Sequence, residues 1–172
     1  TPLTSDTTYH VRAYAMNSAG TAYGADVTCI TPAVANDASC TSITAPATIT
    51  AGETFSATVI MKNIGAGTWQ SVGVNPSQPH RLGAMDPQDN FRWRSNNRID
   101  LPSSSVAPLG SATFTFDAVA PAITGGAQTY SFDWQMVQDG VEWFGAKCTK
   151  NITVNPAAGA PDLTADPVNQ TP

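Results

Sequence analysis

The side chains of this 172-residue chain that could do chemistry are few: His10 and His80, three cysteines, one short acidic loop and a small arginine cluster. Acyl transfer needs a base beside a nucleophile. His10 lies on an alternating extended segment and His80 follows Ser77-Gln78-Pro79 in what reads as a loop, so neither has the setting of a base. Paired carboxylates, a glycine-rich phosphate loop and an activated cysteine are missing from the pattern, so no catalytic residue is assigned and the chain is expected not to be an enzyme. Cys29, Cys40 and Cys148 fit neither a Cys-x-x-Cys pair nor a Cys/His zinc spacing, so neither a metal nor a cofactor is expected. Asp86-Pro87-Gln88-Asp89-Asn90 offers two carboxylates and an amide, hard oxygen donors of the calcium type, without the fuller acidic complement of such a site. Arg92, Arg94 and Arg98 could read an acidic partner, or pair with Asp86, Asp89 and Asp100 on the surface. Three cysteines allow one disulfide plus a leftover or intermolecular thiol, or three buried unpaired side chains.

Composition narrows the partners. With 8 Lys and Arg against 13 Asp and Glu, the net charge of -5 lacks the clustered cations that duplex nucleic acid requires. No run of about 18 apolar residues occurs, so membrane insertion is not expected, and the first residues lack the basic and apolar blocks of a signal peptide, so an export signal would lie upstream. Charged residues make up 12%, while Thr, Ser, Ala, Gly and Pro abound, which disfavours surface helices and suits short strands joined by turns. The expected class is all-β.

Several alternating segments must carry these side chains. Tyr9, Val11 and Ala13 oppose His10, Arg12 and Tyr14, turn residues follow at Asn17-Ser18-Ala19-Gly20, and Tyr23 to Ile30 returns extended, so residues 7–30 read as one hairpin. A lone hairpin is marginal in water. Residues 32–37 read as a Pro/Ala linker. A complete unit follows over 38–155: Phe55, Ala57, Val59 and Met61 alternate with polar neighbours, as do Phe114, Phe116 and Ala118, and Tyr130, Phe132, Trp134 and Met136. Roughly seven strands at this spacing predict an antiparallel β-sandwich, with the hairpin as an N-terminal addition. Residues 156–172 are rich in Pro and Ala and read as an extended tail, either a linker or the first strand of a further module.

Two resemblances sharpen this reading. Leu3, Thr8 to Ala15, Asn17, Gly20 and Tyr23-Gly24 resemble the last two strands of a fibronectin type III domain, which covers residues 1–31 and implies that Tyr9 is that family's corner tyrosine, its hydroxyl bonded upstream. Met61-Lys62-Asn63-Ile64-Gly65, Thr68-Trp69, Arg81-Leu82-Gly83, Asp89-Asn90 with Trp93, Ala120-Pro121, Trp134 to Val137 and Val141 to Gly145 resemble the four-tryptophan immunoglobulin-like domain. That module is known at the centre of a selective-autophagy receptor and as a repeat in secreted bacterial proteins; the Gln138-Asp139-Gly140 turn and the fibronectin-like neighbour point to the bacterial branch. The resemblance implies an immunoglobulin-like fold with Trp69, Trp93, Trp134, Trp143 and Phe132 as a structural aromatic core. Trp69 and Trp93 stand beside glycine-rich or charged loops, so with Arg92 and Arg94 they are a candidate ligand face that could stack on a sugar or a partner side chain. The first and last strands run side by side in such sandwiches, which implies a Cys40–Cys148 disulfide. The closed loop would be worth roughly 4 to 5 kcal/mol in the chain-entropy model. Cys29 would then be the free or intermolecular thiol.

The function expected from these features is that of a non-catalytic extracellular or cell-surface assembly module. Its partners would be proteins, either copies of itself or neighbouring surface modules, met by strand addition along the hairpin through Tyr9, Val11, Tyr14, Tyr23 and Val27. The alternatives are a passive spacer or adhesion module in a large surface protein, and a polysaccharide-binding appendage of a secreted hydrolase.

Overall fold

The computed structural model describes residues 3–158, which hold sixteen strands and no helix. The first four are β1 (Thr8–Val11), β2 (Tyr14–Asn17), β3 (Gly20–Tyr23) and β4 (Val27–Ile30). They form one antiparallel ribbon in which β1 pairs with β4 and β2 with β3. Asn17 Oδ1 accepts the Ala19 N–H at 2.8 Å and Gly20 takes φ 136°, which closes the tip. Between the Val11–Val27 and Tyr14–Tyr23 pairs one strand advances by three residues and the other by four. This is a bulge, and the Gly24 N–H to Ala13 O bond of 2.8 Å keeps the ribbon joined across it.

The remaining strands build a sandwich: β5 (Ala38–Thr44), β6 (Thr48–Thr50), β7 (Thr54–Asn63), β8 (Trp69–Gln70), β9 (His80–Met85), β10 (Arg98–Asp100), β11 (Ser105–Val106), β12 (Ser111–Val119), β13 (Gln128–Ser131), β14 (Asp133–Gln138), β15 (Glu142–Cys148) and β16 (Asn151–Asn155). One layer has the order β12-β7-β5. The other has the order β10-β9-β14-β15, prolonged where β13 leads through Phe132 into β14 and β15 leads into β16, which in turn pairs in parallel with β6. The Phe132 N–H to Lys150 O bond of 2.7 Å spans that bend. The tail residues 159–172 lie outside the described residues.

Alternation produces the core. On β12 the residues Ala112, Phe114, Phe116 and Ala118 are buried and their neighbours exposed; on β7 Ala57, Val59 and Met61 point the same way. Phe132, Trp134 and Met136 meet them from the second layer, with Phe116 and Trp134 ring centroids 4.8 Å apart at 62°. Cys40 on β5 and Cys148 on β15 are joined, with Cα atoms 5.1 Å apart, so the disulfide clasps an edge strand of each layer.

The segment 32–37, expected as a plain linker, is instead strapped to the loop after β7. Ala66 and Gly67 donate to the carbonyls of Val34 and Ala35 at 2.9 and 2.8 Å, and Ile64 and Gly65 both donate to Asp37 O. A Cβ at Gly65 would stand 2.4 Å from Ala35 O, so only glycine admits this approach. Asn63, fully buried, holds the seat in shape: its Nδ2 donates to Gly67 O and Val106 O, and its Oδ1 accepts from Gly65 N–H. The chain therefore enters the sandwich at the Asn63 end of β7. It leaves at the other end, where Ala51 N–H bonds Asn155 O at 2.8 Å beside the start of β7.

Candidate functional site

The aromatic positions are where the structure departs most from expectation. Trp69 is 0% and Trp93 3% exposed, so neither offers a ring face to a ligand. Trp69 is covered because the short β8–β11 pair closes the sandwich over it, against Phe144. Trp93 is packed edge-on between Phe55, Tyr130 and Phe132, and its indole N–H donates to Ser131 O at 2.8 Å. Trp134 and Phe132 are core residues. Trp143 is not: it is half-buried on the outer face of the second layer, because Phe144, paired across from Met136, takes the inward position. The Trp143 ring lies on Gly83, where a Cβ would stand 2.4 Å from its Cη2, and the Arg98 guanidinium covers it at 4.7 Å from the centroid. Glycine, ring and guanidinium form one stack, leaving no open platform for a sugar.

The charged residues on that face neutralise one another. Arg98 bonds Asp89 and Asp139, and Arg81 bonds Asp100 at 2.7 Å and Asp139 at 3.0 Å. Arg92 instead lies over the Tyr130 ring and Arg94 over Phe116, with Arg94 donating to Asp117 O, so the expected pairing of these arginines with Asp86 and Asp100 is corrected. Asp86 belongs to Lys147, 2.7 Å away. Burial, and the hydrogen bond that its protonated form donates to Asp86, push the Asp133 carboxyl up to about 6, while accepting that bond and the nearby Lys147 ammonium hold Asp86 low. Both carboxylates of the Asp86–Asn90 loop are thus engaged by cations, and no cluster of three or more metal-ligating side chains occurs among the described residues.

His80 begins β9 rather than sitting in a loop and is buried. Its Nδ1 accepts the Gln70 N–H at 3.0 Å, which leaves the proton on Nε2 to be donated to Asn36 Oδ1 at 3.1 Å. Burial holds its pKa below the ordinary imidazole value. Asn36 in turn donates to Gln138 and Glu142, so His80 is a structural bond that fixes the strap.

The ribbon is the surface left unsatisfied. Tyr9 is tied down, its hydroxyl accepting the Thr4 N–H at 2.7 Å, but Tyr14, Tyr23 and Val27 are 69%, 62% and 62% exposed, and Val11, Met16 and Ile30 are also open. Cross-strand neighbours share a face. One face carries Tyr9 opposite Cys29 and Val11 opposite Val27, of which Val11, Val27 and Cys29 are exposed. The other carries groups that satisfy each other: His10 bonds Asp26 at 2.6 Å, and Arg12 lies 4.7 Å over the Tyr23 ring, which leans on Tyr14. Cys29 is exposed and free. Among the described residues neither outer backbone edge of the ribbon is paired. Thr31 N–H bonds Thr7 O, so by alternation Val27 and Cys29 turn their polar groups toward β1 while Thr28 and Ile30 turn theirs outward. Sequence reasoning found this ribbon but not the strap that mounts it, for which Gly65 and Gly67 were the available signal. Among the described residues no helix is long and apolar enough to cross a membrane. The Cys40–Cys148 disulfide fits an oxidising environment. No protein-family model matches the chain, and no curated protein matches it.

Proposed function

We propose that this chain is a non-catalytic structural module of a secreted or cell-surface protein, and that it makes protein–protein contacts by strand addition along its N-terminal ribbon. The observation that carries the reading is the contrast within one chain. The sandwich has a closed aromatic core and a disulfide clasp, whereas the ribbon leaves Val11, Tyr14, Met16, Tyr23, Val27 and Ile30 in water beside two open backbone edges. Unpaired edges with apolar side chains recruit strands. The strap supports the same reading, because a ribbon held in one attitude loses little freedom on docking. The resemblance to repeats of secreted bacterial proteins and the disulfide agree with an extracellular setting.

Light scattering of the full chain over a range of concentrations, with and without reductant, tests this. Particles heavier than 17.9 kDa that grow with concentration are expected. A mass of 17.9 kDa throughout would refute assembly and leave the passive spacer, which the strapped joint would also suit.

A further inference from the structure

We infer that the strand received by the ribbon is β4 of a second copy, laid antiparallel on β4 in the register that sets the two Cys29 thiols opposite each other. Two copies then form a twofold dimer that an oxidant can lock. This rests on the strand-addition reading above and names its occupant.

The register follows from the phase of the edge. Val27 and Cys29 spend their backbone groups on β1, whereas Thr28 and Ile30 turn theirs outward. A second β4 uses every outward group when Thr28 stands opposite its Ile30 and Ile30 opposite its Thr28, each pair exchanging both N–H···O bonds. Sliding the copies by two residues would set Thr28 opposite Pro32, which has no N–H, or Ile30 opposite Asp26, outside the strand. A slide of one residue would set inward groups against outward ones. In the remaining register the twofold axis passes between the two Cys29 residues. They form a pair of the non-hydrogen-bonded type, with Cα atoms about 4.5 Å apart. A disulfide accepts Cα separations of about 4.4 to 6.8 Å, so the thiols are within bonding reach.

The side chains agree with this pairing. Directly opposed residues share a face, so Val11, Val27 and Cys29, all exposed, join their counterparts in one apolar face across both ribbons. β4 holds neither a charge nor a proline, whereas β1 at the other edge carries His10 mid-strand, so β4 is the unguarded edge. Its four residues fall far short of the roughly 20 a side of a standard stable interface, so the reduced pair is reversible and a covalent bond makes it last. A small disulfide such as oxidised glutathione supplies the oxidation. One Cys29 thiolate attacks it and releases a thiol, and the second copy's Cys29 thiolate attacks the mixed disulfide and releases the other. Two protein thiols are thereby oxidised and the small disulfide is reduced to two thiols. The same surface serves on both copies, so the contact closes at two.

The test treats the full chain, with Cys29 as the free thiol, with oxidised glutathione, read by non-reducing gel electrophoresis beside light scattering in reductant. Wild type is expected to give a covalent species of twice 17.9 kDa joined through Cys29. Thr28→Pro, which removes an outward N–H, is expected to lose that species. So is Val27→Cys combined with Cys29→Ser, because in this register Val27 stands opposite Thr31 and not opposite its own counterpart. Either variant crosslinking as fast as wild type would show thiols meeting by random collision and overturn the inference. A wild type that stays at 17.9 kDa with the oxidant, while its particles in reductant vanish in Thr28→Pro, would overturn the inference and leave the strand-addition reading standing with a different occupant. Neither crosslink nor particles would overturn both.

Discussion

Replacing Cys40 and Cys148 together by alanine removes the clasp between the two layers. The bond spans 108 positions in the sequence, and closing a loop of that size in the unfolded chain is worth about 4.8 kcal/mol in the chain-entropy model. Alanine at Cys148, which is fully buried against Met61, adds a small cavity, so the loss should not fall below the entropic figure by much. For a sandwich of this size a loss of about 4.8 kcal/mol corresponds to a Tm lowered by roughly 15–25 °C. Urea unfolding followed by tryptophan fluorescence measures it, since Trp69, Trp93 and Trp134 are all buried. The reduced wild type should match the double variant. A loss under about 1 kcal/mol would refute the reasoning, because it would mean that the unfolded chain gains almost no freedom when the bridge is absent.

Three further perturbations separate the other structural claims. Asp133, whose carboxyl is raised to about 6, favours the protonated folded state, so its contribution is present below about pH 4 and is lost as pH rises through 6. His80, held low by burial, acts oppositely in that window, its stability being lost as pH falls below about 6.5. The Tm of Asp133→Asn minus that of wild type should therefore increase from pH 4 to 7; a constant difference would exclude the raised carboxyl. Gly83→Ala should lose about 1–3 kcal/mol because its Cβ would meet the Trp143 ring, and Gly83→Ala with Trp143→Ala should cost less than the sum of the single changes. Strict additivity in urea melts would mean that the stack has no role. Gly65→Ala should unseat the strap and speed proteolysis within 32–37 while leaving the core fluorescence unchanged; cleavage at the wild-type rate would show that the strap does not depend on that glycine.

Where two-residue alternation is clean, sequence and structure coincide: β7 and β12 bury Ala57, Val59, Met61, Ala112, Phe114, Phe116 and Ala118 as the pattern assigns, and the cysteines at the two edges meet, whereas β14 buries Asp133 and Val137 as well as Trp134 and Met136. Adjacent aromatics defeat the same rule. Trp143 and Phe144 cannot both face inward, and only the pairing of Phe144 with Met136 decides between them. Gly83, on β9 two strands away from β15, was the clue to an outward tryptophan, but it gains meaning only once β14 is paired with β9 on one side and β15 on the other. Trp69 and Trp93 looked accessible because their segments are loop-like; they are buried because β8 and β11, two residues each, close over one and three aromatic rings surround the other. Ion pairs such as Arg98 with Asp139 and Lys147 with Asp86 join residues 41 and 61 positions apart, so charge spacing along the chain could not show them. Composition marked 32–37 as a linker since Pro and Ala carry no side-chain signal for backbone hydrogen bonds, and backbone groups, together with the Asn36 amide bonded to His80, fasten that segment.

The central claim is that the ribbon edge carries the contacts of this protein, and amide hydrogen exchange resolved by residue tests it directly. At concentrations where the chain assembles, the Thr28 and Ile30 amides, which point away from β1, should be protected, and dilution should restore their fast exchange while Val27 and Cys29 change less. Fast exchange at Thr28 and Ile30 under all conditions would contradict the account.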